Sequence, residues 1–386
     1  MLFIHNEDVE QLLSMSECID AQERAFRQIP DGGAIHRPRL DMYVPCERDD
    51  GYYRWGTMEG ANDGIFAIRM KSDIITWPKT ETGMWRENKY CVQPGTFFGL
   101  ILLMSTKNGE PLAFINDGIL QHMRVGGGGG VGARHLARKN SSVVGILGSG
   151  GMARTYLEAF CVVRPIRKAK VFSPTAANRV RYAEEMSKKL GIDVVPVDSA
   201  REAVRGVDIL ATCTDSMVPT FEAKWLEPGM HVTMLGPREL SKEVLDRCDV
   251  KIRQGTGGIT IPETDRIRSE IGHSPLAYIA GSREEMKRLP ESTREGGFGG
   301  DYPDYCDLIT GKARGRENDE QITFYHNMGN QGLQFSAVGG LVYRKAKEMG
   351  RGRHIPTDWM LQNIRDWSGN CVVGCRALAF AMTTIR

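Results

Sequence analysis

The sequence predicts an α/β chain built on a doubly wound parallel sheet. Three observations carry this: a strand–turn–helix at 143–163 whose turn reads G-x-G-x-x-A, an alternation of short apolar strands with helices after it, and a length of 386 residues, enough for two domains and a substantial core. In VVGILGSGGMA (143–153) the five residues before the glycines are apolar and rich in β-branched side chains, as in a buried parallel strand. Gly148 permits the sharp exit from the strand. Gly150 lets backbone N–H groups approach an anion, and Ala153 is small enough for the next helix to lie on the sheet. Ser149, Gly151 and Met152 complete the turn, and the helix that follows points its partially positive N-terminus at a pyrophosphate. A flanking strand and helix make this a dinucleotide site rather than a plain Gly-rich turn.

The remaining elements follow in chain order. Residues 5–30 read as one amphipathic helix, and the Pro-bounded segment IHRPRLDMYVP as extended chain. Residues 50–56 read as a polar turn. The strand IFAIRMKSDII (65–75) carries Arg69 and Lys71 on one face. Residues 76–96 are expected to form a loop or lid, and 99–115 a hairpin about Asn108 and Gly109. Two helical pieces, 119–124 and 133–138, flank glycines 126–130. Each glycine in a helix costs roughly 1 kcal/mol against alanine, so the run is either a joint between domains or a helix pressed closely against a neighbour. From 169 to 236 strands and helices alternate. Residues 281–321 have little periodicity, and the chain closes with helices over 331–350 and amphipathic segments over 358–386.

Fifty basic and 48 acidic residues nearly cancel, which leaves no chain-wide footprint for nucleic acid. No apolar run is long enough to span a bilayer, and acidic residues stand where a signal peptide has basic ones. Nine cysteines without C-x-x-C pairs suggest reduced thiols in the cytoplasm and no metal site. The strand after the glycine turn ends Phe172-Ser173-Pro174-Thr175 without the acid that pairs with the ribose of NAD. Arg179 is the nearest downstream charge. Hydroxyls at Ser173 and Thr175 with Arg179 favour NADP over NAD, the alternative being that Arg179 is simply a solvated helix residue. Thr212, Thr214 and Asp215, at the end of the strand 208–214, belong to the carboxyl edge that lines such a site. His36, His122 and His326 are candidate site residues, or structural.

With these pieces the chain resembles the ornithine cyclodeaminase/mu-crystallin family over most of its length. The markers are RPR at 37–39, the strand carrying Lys71, NGEPLAFI, HMR around Arg124, GILGSGGMA, GPRELSKEVLDRCD, GKARGRENDEQITFY and GLVYRKAKEMGRG. The resemblance implies a central Rossmann domain (121–325) and a discontinuous α+β substrate and dimerisation domain (1–120 with 326–386). It also implies a homodimer and a small amino or imino acid substrate whose carboxylate is held by Arg39 and Arg124, with Lys71 as the active-site lysine. Guanidinium forks suit that carboxylate. Two departures separate the chain from the cyclodeaminases of the family. No aspartate follows Gly236, where Pro237 and Arg238 stand, and the glutamate expected just before Met58 is absent. Glu59 is the nearest candidate carboxylate, although on a strand it points the other way. The expectation is therefore an NAD(P)-dependent oxidoreductase. A cyclodeaminase with recycled NAD and a non-catalytic, crystallin-like NADP-binding protein are the alternatives.

Overall fold

The computed structural model describes residues 1–79, 86–236, 238–255, 266–271, 274–290 and 302–362. The chain begins with β1 (Leu2–Ile4), α1 (Asn6–Leu12), α2 (Met15–Arg27), β2 (Ala34–Pro45), β3 (Gly51–Asn62) and β4 (Ile65–Thr76). β5 (Asn88–Cys91), β6 (Gln93–Pro94), β7 (Phe98–Ser105), β8 (Pro111–Asn116) and α3 (Asp117–Leu136) complete its first third. The alternating part runs β9 (Val143–Leu147), α4 (Gly151–Val163), β10 (Lys168–Phe172), α5 (Ala176–Leu190), β11 (Asp193–Pro196) and α6 (Ala200–Val204). It continues through β12 (Ile209–Thr212), β13 (His231–Met234), α7 (Lys242–Asp246) and β14 (Val250–Arg253). Then come β15 (Ile267–Ile271), β16 (Ser274–Ile279), α8 (Arg283–Met286), α9 (Tyr305–Ile309), β17 (Thr323–His326), α10 (Gln331–Glu348) and β18 (Arg353–His354).

Among the described residues these strands make two sheets. One is parallel throughout, in the order β11-β10-β9-β12-β13-β17-β14, with β9 an interior strand between β10 and β12. The other is largely antiparallel, with the path β15-β16-β2-β3-β4-β7-β8-β1-β18. It draws on both ends of the described chain, since β1 pairs with β18 and α10 lies across β2, β3 and β4.

Several expectations are corrected. The helix over 5–30 is two helices, broken at Ser14. The Ser14 hydroxyl accepts from the Glu17 N–H while the Glu17 carboxylate accepts from the Ser14 N–H, a capping box that starts α2. Residues 51–56 belong to the long strand β3 and not to a turn. The hairpin β15–β16, within the 121–325 segment assigned to the Rossmann domain, instead extends the antiparallel sheet, where β16 pairs in parallel with β2. The amphipathic segment expected over 358–386 lies mostly outside the described residues, as do parts of 76–96 and 281–305.

Glycines 126–130 sit inside a single 20-residue helix, α3, whose N-cap Asn116 accepts from the Gly118 N–H. The glycines let its backbone lie directly against its neighbours. A Cβ at Gly126 would fall 2.4 Å from the Thr155 carbonyl of α4, one at Gly129 2.5 Å from the Tyr156 ring, and one at Gly127 2.4 Å from Gln22 of α2. Of the two readings of the glycine run, the closely pressed helix is the observed one.

The carboxyl ends of β12 and β13 are tied together by Glu239, which is fully buried. Its carboxylate accepts from the Thr214 N–H and hydroxyl, both at 2.6 Å, from the Thr212 hydroxyl at 3.1 Å, and from the N–H groups of Leu235 (3.1 Å) and Gly236 (2.5 Å). Burial pushes its pKa up, and the hydrogen bonds from Thr214, Gly236 and Thr212 pull the other way.

Two stability changes are expected. Gly126→Ala improves helix propensity yet drives a methyl into the α4 backbone, so unfolding by denaturant should show a loss of about 1–3 kcal/mol. Glu239→Gln replaces an acceptor oxygen with an NH2 group facing N–H and O–H donors. It should cost about 2–3 kcal/mol in the same measurement.

Candidate functional site

The first half of the site is a patch of buried charge on one face of the antiparallel sheet. Period-two alternation puts Arg69, Lys71 and Asp73 of β4 on that face. The register sets Lys71 opposite Gly56 and Asp73 opposite Arg54 on β3, while Gly56 in turn faces Asp41 on β2. Gly56 is what admits Asp41 here, for a Cβ would fall 2.1 Å from its Oδ1. Arg54, Arg69, Lys71 and Arg124 are all less than 9% exposed.

Acidic partners are threaded through these cations. Arg54 Nη2 lies 2.7 Å and Lys71 Nζ 3.0 Å from Asp73, and Arg39 Nε 2.9 Å from Asp41. Arg69 forks onto one oxygen of Asp117 at 2.8 and 2.5 Å. The Phe97 ring lies under both Lys71 and Arg69, and the Phe335 ring under both Arg69 and Arg124. Arg124 is different. Its guanidinium donates to two carboxamides, Gln334 Oε1 at 3.0 Å and Gln121 Oε1 at 2.9 and 3.1 Å, and to no carboxylate among the described residues.

Burial governs the ionisation of the patch. It lowers the Lys71 ammonium well below its ordinary value, with Arg54 adding to the effect and Asp73 opposing it. It also lowers Arg124 to about 9, with further repulsion from Arg69. Asp73 is raised by burial, but Arg54 and Lys71 more than reverse this and hold it at about 2.

The second half is the turn at β9–α4. Gly148 has φ +108°, a conformation suited to glycine, and a Cβ there would lie 2.3 Å from the Cys213 carbonyl. Gly150 caps α4 without a side chain, and a Cβ on it would meet nothing within 4 Å. No acid occupies the first turn of α4, so its N–H groups open onto a cleft of about 900 Å³. This cradle fits a pyrophosphate. Arg154 braces the turn by donating to the Ser149 and Gly150 carbonyls.

Gly148, Ser149, Gly150, Gly151 and Met152 line the cleft, as do Ser173, Thr175, Thr214 and Asp215. Ala153 is buried below it. Thr212 is fully buried and engaged with Glu239, so it braces the edge from within. Arg179 is a correction: it is not part of the lining, because its guanidinium turns to Asp198 at 2.6 Å and to the Ser173 carbonyl at 3.1 Å. Asn178 and Arg181 take its place on the cleft, and Arg86, His122 and Arg154 line it as well.

Glu59 is a second correction. It pairs with Ile68, on the sheet face opposite Lys71, and binds Arg37 there at 2.5 and 2.9 Å. The structure brings Arg39, Lys71 and Arg124 into one neighbourhood: Arg39 is felt by both of the others, and Arg69 by Arg124. Sequence reasoning missed Arg54, Asp73, Gln121 and Gln334. The parity of β4 already placed Asp73 beside Lys71, whereas nothing local signalled the two glutamines. His36 and His326 are partly or largely buried and do not line the cleft. Among the described residues no group of three or more His, Cys, Asp or Glu could hold a metal ion, and no helix is long and apolar enough to cross a membrane.

Known proteins are similar to this chain over most of its length. An alanine dehydrogenase of Archaeoglobus fulgidus is 29% identical over 359 residues, 92% of this chain and 98% of its own. The solved Δ1-pyrroline-2-carboxylate reductase of Thermococcus litoralis, in complex with NADH and L-proline, superposes with a TM-score of 0.69. It is 29% identical and covers 92% of this chain and 100% of its own. An archaeal alanine dehydrogenase dimer with bound NAD gives a TM-score of 0.67 at 26% identity, covering 92% and 99%. The family model of ornithine cyclodeaminase and mu-crystallin matches residues 1–349, and the chain belongs to the ornithine cyclodeaminase/mu-crystallin family.

Proposed function

We propose that the chain is an NAD(P)-dependent oxidoreductase that transfers a hydride to or from the α-carbon of a small amino or imino acid. The observation that carries this reading is Arg124, a buried guanidinium held by carboxamides alone. Its three bonds to Gln121 and Gln334 leave two of the five N–H groups, one on each Nη, for an end-on grip on a carboxylate. The relatives that act on alanine, or that were solved with proline, support a substrate with a carboxylate beside a nitrogen.

The nicotinamide supplies or accepts the hydride. The protein's part is to position and to manage protons. Arg124 and Arg39 hold the carboxylate, and the aromatic faces of Phe97 and Phe335 keep water from the cation patch. Lys71, whose ammonium is destabilised by burial, exchanges a proton with the substrate nitrogen, with Asp73 holding its Nζ in place. Ser173, Thr175, Asn178 and Arg181 on the lining favour NADP(H) over NAD(H), and Asp215, the one carboxylate of that lining, is paired with Arg86.

A homodimer is part of the proposal. The sheet face opposite α10 presents half-buried Phe66, Ile68 and Met70 of β4, Leu100 and Leu102 of β7 and Phe114 of β8, with Met42 of β2 49% exposed. Such a contiguous apolar face is suited to a second copy, and an archaeal relative was solved as a dimer. A reducing compartment, the cytoplasm, fits the seven free cysteines among the described residues.

The test is oxidation of NADPH and NADH, in parallel, with cyclic ketimine carboxylates and with α-keto acids plus ammonia or methylamine. Turnover is expected, faster with NADPH. Arg124→Ala should raise KM by about 10²-fold, roughly the 3 kcal/mol of a charge-assisted pair, with the fold intact by circular dichroism. Unchanged kinetics in that variant would remove Arg124 from the site. Light scattering should give about twice the 43.0 kDa of one chain, and Ile68→Glu should halve it. A wild-type mass of one chain would sink the dimer.

A further inference from the structure

His122 stands on α3 two residues before Arg124, and its ring rests on the glycine turn. A Cβ at Gly151 would fall 2.7 Å from His122 Nε2, 3.0 Å from Cε1 and 3.1 Å from Cδ2. Gly151 is the first residue of α4, where the uncapped N–H groups face the cleft that His122 itself lines. The imidazole has no hydrogen-bond partner among the described residues. A polar ring without a protein hydrogen bond, set against the N-terminus of α4, is placed to donate to an anion bound there.

We propose that His122 binds the pyrophosphate of the dinucleotide as an imidazolium, so that cofactor binding takes up a proton. This rests on the reading of the cleft as a nicotinamide dinucleotide site. One proton passes from solvent to the ring, which then donates its N–H to a phosphate oxygen. No bond to carbon is made or broken in that step.

The surroundings set the poise of the ring. Burial lowers its pKa, Asp117 on its own helix opposes this, and Arg124 on α3 and Arg154 on α4 add to the lowering. Arg86 and Asp215 face it across the cleft lining. The ring is therefore neutral near pH 7 before an anion arrives, and a pyrophosphate favours the charged form. Affinity is then full below the free-state pKa of the ring. It falls as pH rises between the free-state and bound-state values, by at most about tenfold per pH unit.

The experiment uses the full chain and NADH, because the 2′-phosphate of NADPH itself titrates near pH ~6. Fluorescence titration should give a Kd that weakens at least about threefold between about pH 6 and pH 8.5. Calorimetry of NADH binding in two buffers of different ionisation enthalpy should show net proton uptake by the wild-type protein, a readout that needs no variant. His122→Gln should bind NADH with a pH-independent Kd close to the wild-type value at the alkaline end. Matching pH profiles in the two proteins, or no proton uptake by the wild type, would overturn the role of His122 and leave the cofactor reading standing. Failure of the wild type to bind NADH or NADPH at any pH would overturn the cofactor reading, and the role of His122 with it.

Discussion

The close approach of α3 to α2 and α4 is the constraint on which both halves of the site depend. A helix with glycines at 126–130 and 132 is a poor helix by propensity, each glycine costing roughly 1 kcal/mol against alanine. It exists because the missing side chains let its backbone meet the Thr155 backbone and the Tyr156 ring on one side, the Cys18 and Gln22 side chains on another, and the Tyr325 ring at Gly132. The same helix carries Asp117, Gln121, His122 and Arg124 at its N-terminal end. It thereby fixes the partner of Arg69, the Arg124 guanidinium and the ring on Gly151 in one rigid frame. A flexible joint at that place would let Arg124 and the glycine turn drift apart, and a drift of about 1 Å in a reacting geometry is costly.

Electrostatics in the patch follows from the expense of burying charge. Arg54, Arg69 and Lys71 each have an acid on the same sheet face or at the start of α3, so desolvation is offset locally. Arg124 is desolvated equally, but its hydrogen bonds go to amide dipoles alone, which orient the guanidinium without cancelling its charge. Asp117 acts on it without a hydrogen bond, and the Phe335 ring lies against it. Gln334 is itself held by Gln22 at 2.6 Å and the Arg124 carbonyl at 3.2 Å, so the amide cannot swing away from the cation it supports. The result is one cation bonded to amides alone among cations paired with acids.

Much of this was legible in the chain. The glycine turn is local chemistry, and strand, turn and helix stand where its residues place them. Strand parity put Arg69 with Lys71 and turned Glu59 away, and the register of β3 against β4 agrees. The break between α1 and α2 was also written in the sequence, as Ser14 and Glu17 at capping-box spacing. Other features depend on facts that no local window holds. Residues 179 and 181 are about 200° apart around a helix, so which of them meets the cleft depends on how α5 docks, and a docked α5 turns Arg179 to Asp198. β15 and β16 find their sheet partner β2 more than 200 residues away in the sequence. Gln334 and Gln22 meet across more than 300 residues, and such carboxamides have no pattern of their own.

The two layers meet on a second side of the cleft, and the contacts there are of another kind. Beyond β4, Trp77 enters one buried cluster with Tyr43, Tyr52 and Met217, the last from the loop after β12. Arg86 forms an isolated antiparallel bridge with Ser216 and an ion pair with Asp215 at 3.2 Å. Both charged side chains of that pair are more than half exposed, so it is screened by water and contributes little. What holds this side together is the buried cluster that Trp77 and Met217 share, an apolar association without the directional locking that the glycine helix provides opposite. The cleft thus has one wall whose position is set by backbone contact and another set by a side-chain cluster. The first wall cannot move without opening the contacts of α3 with α2 and α4, whereas the second rests on packed side chains.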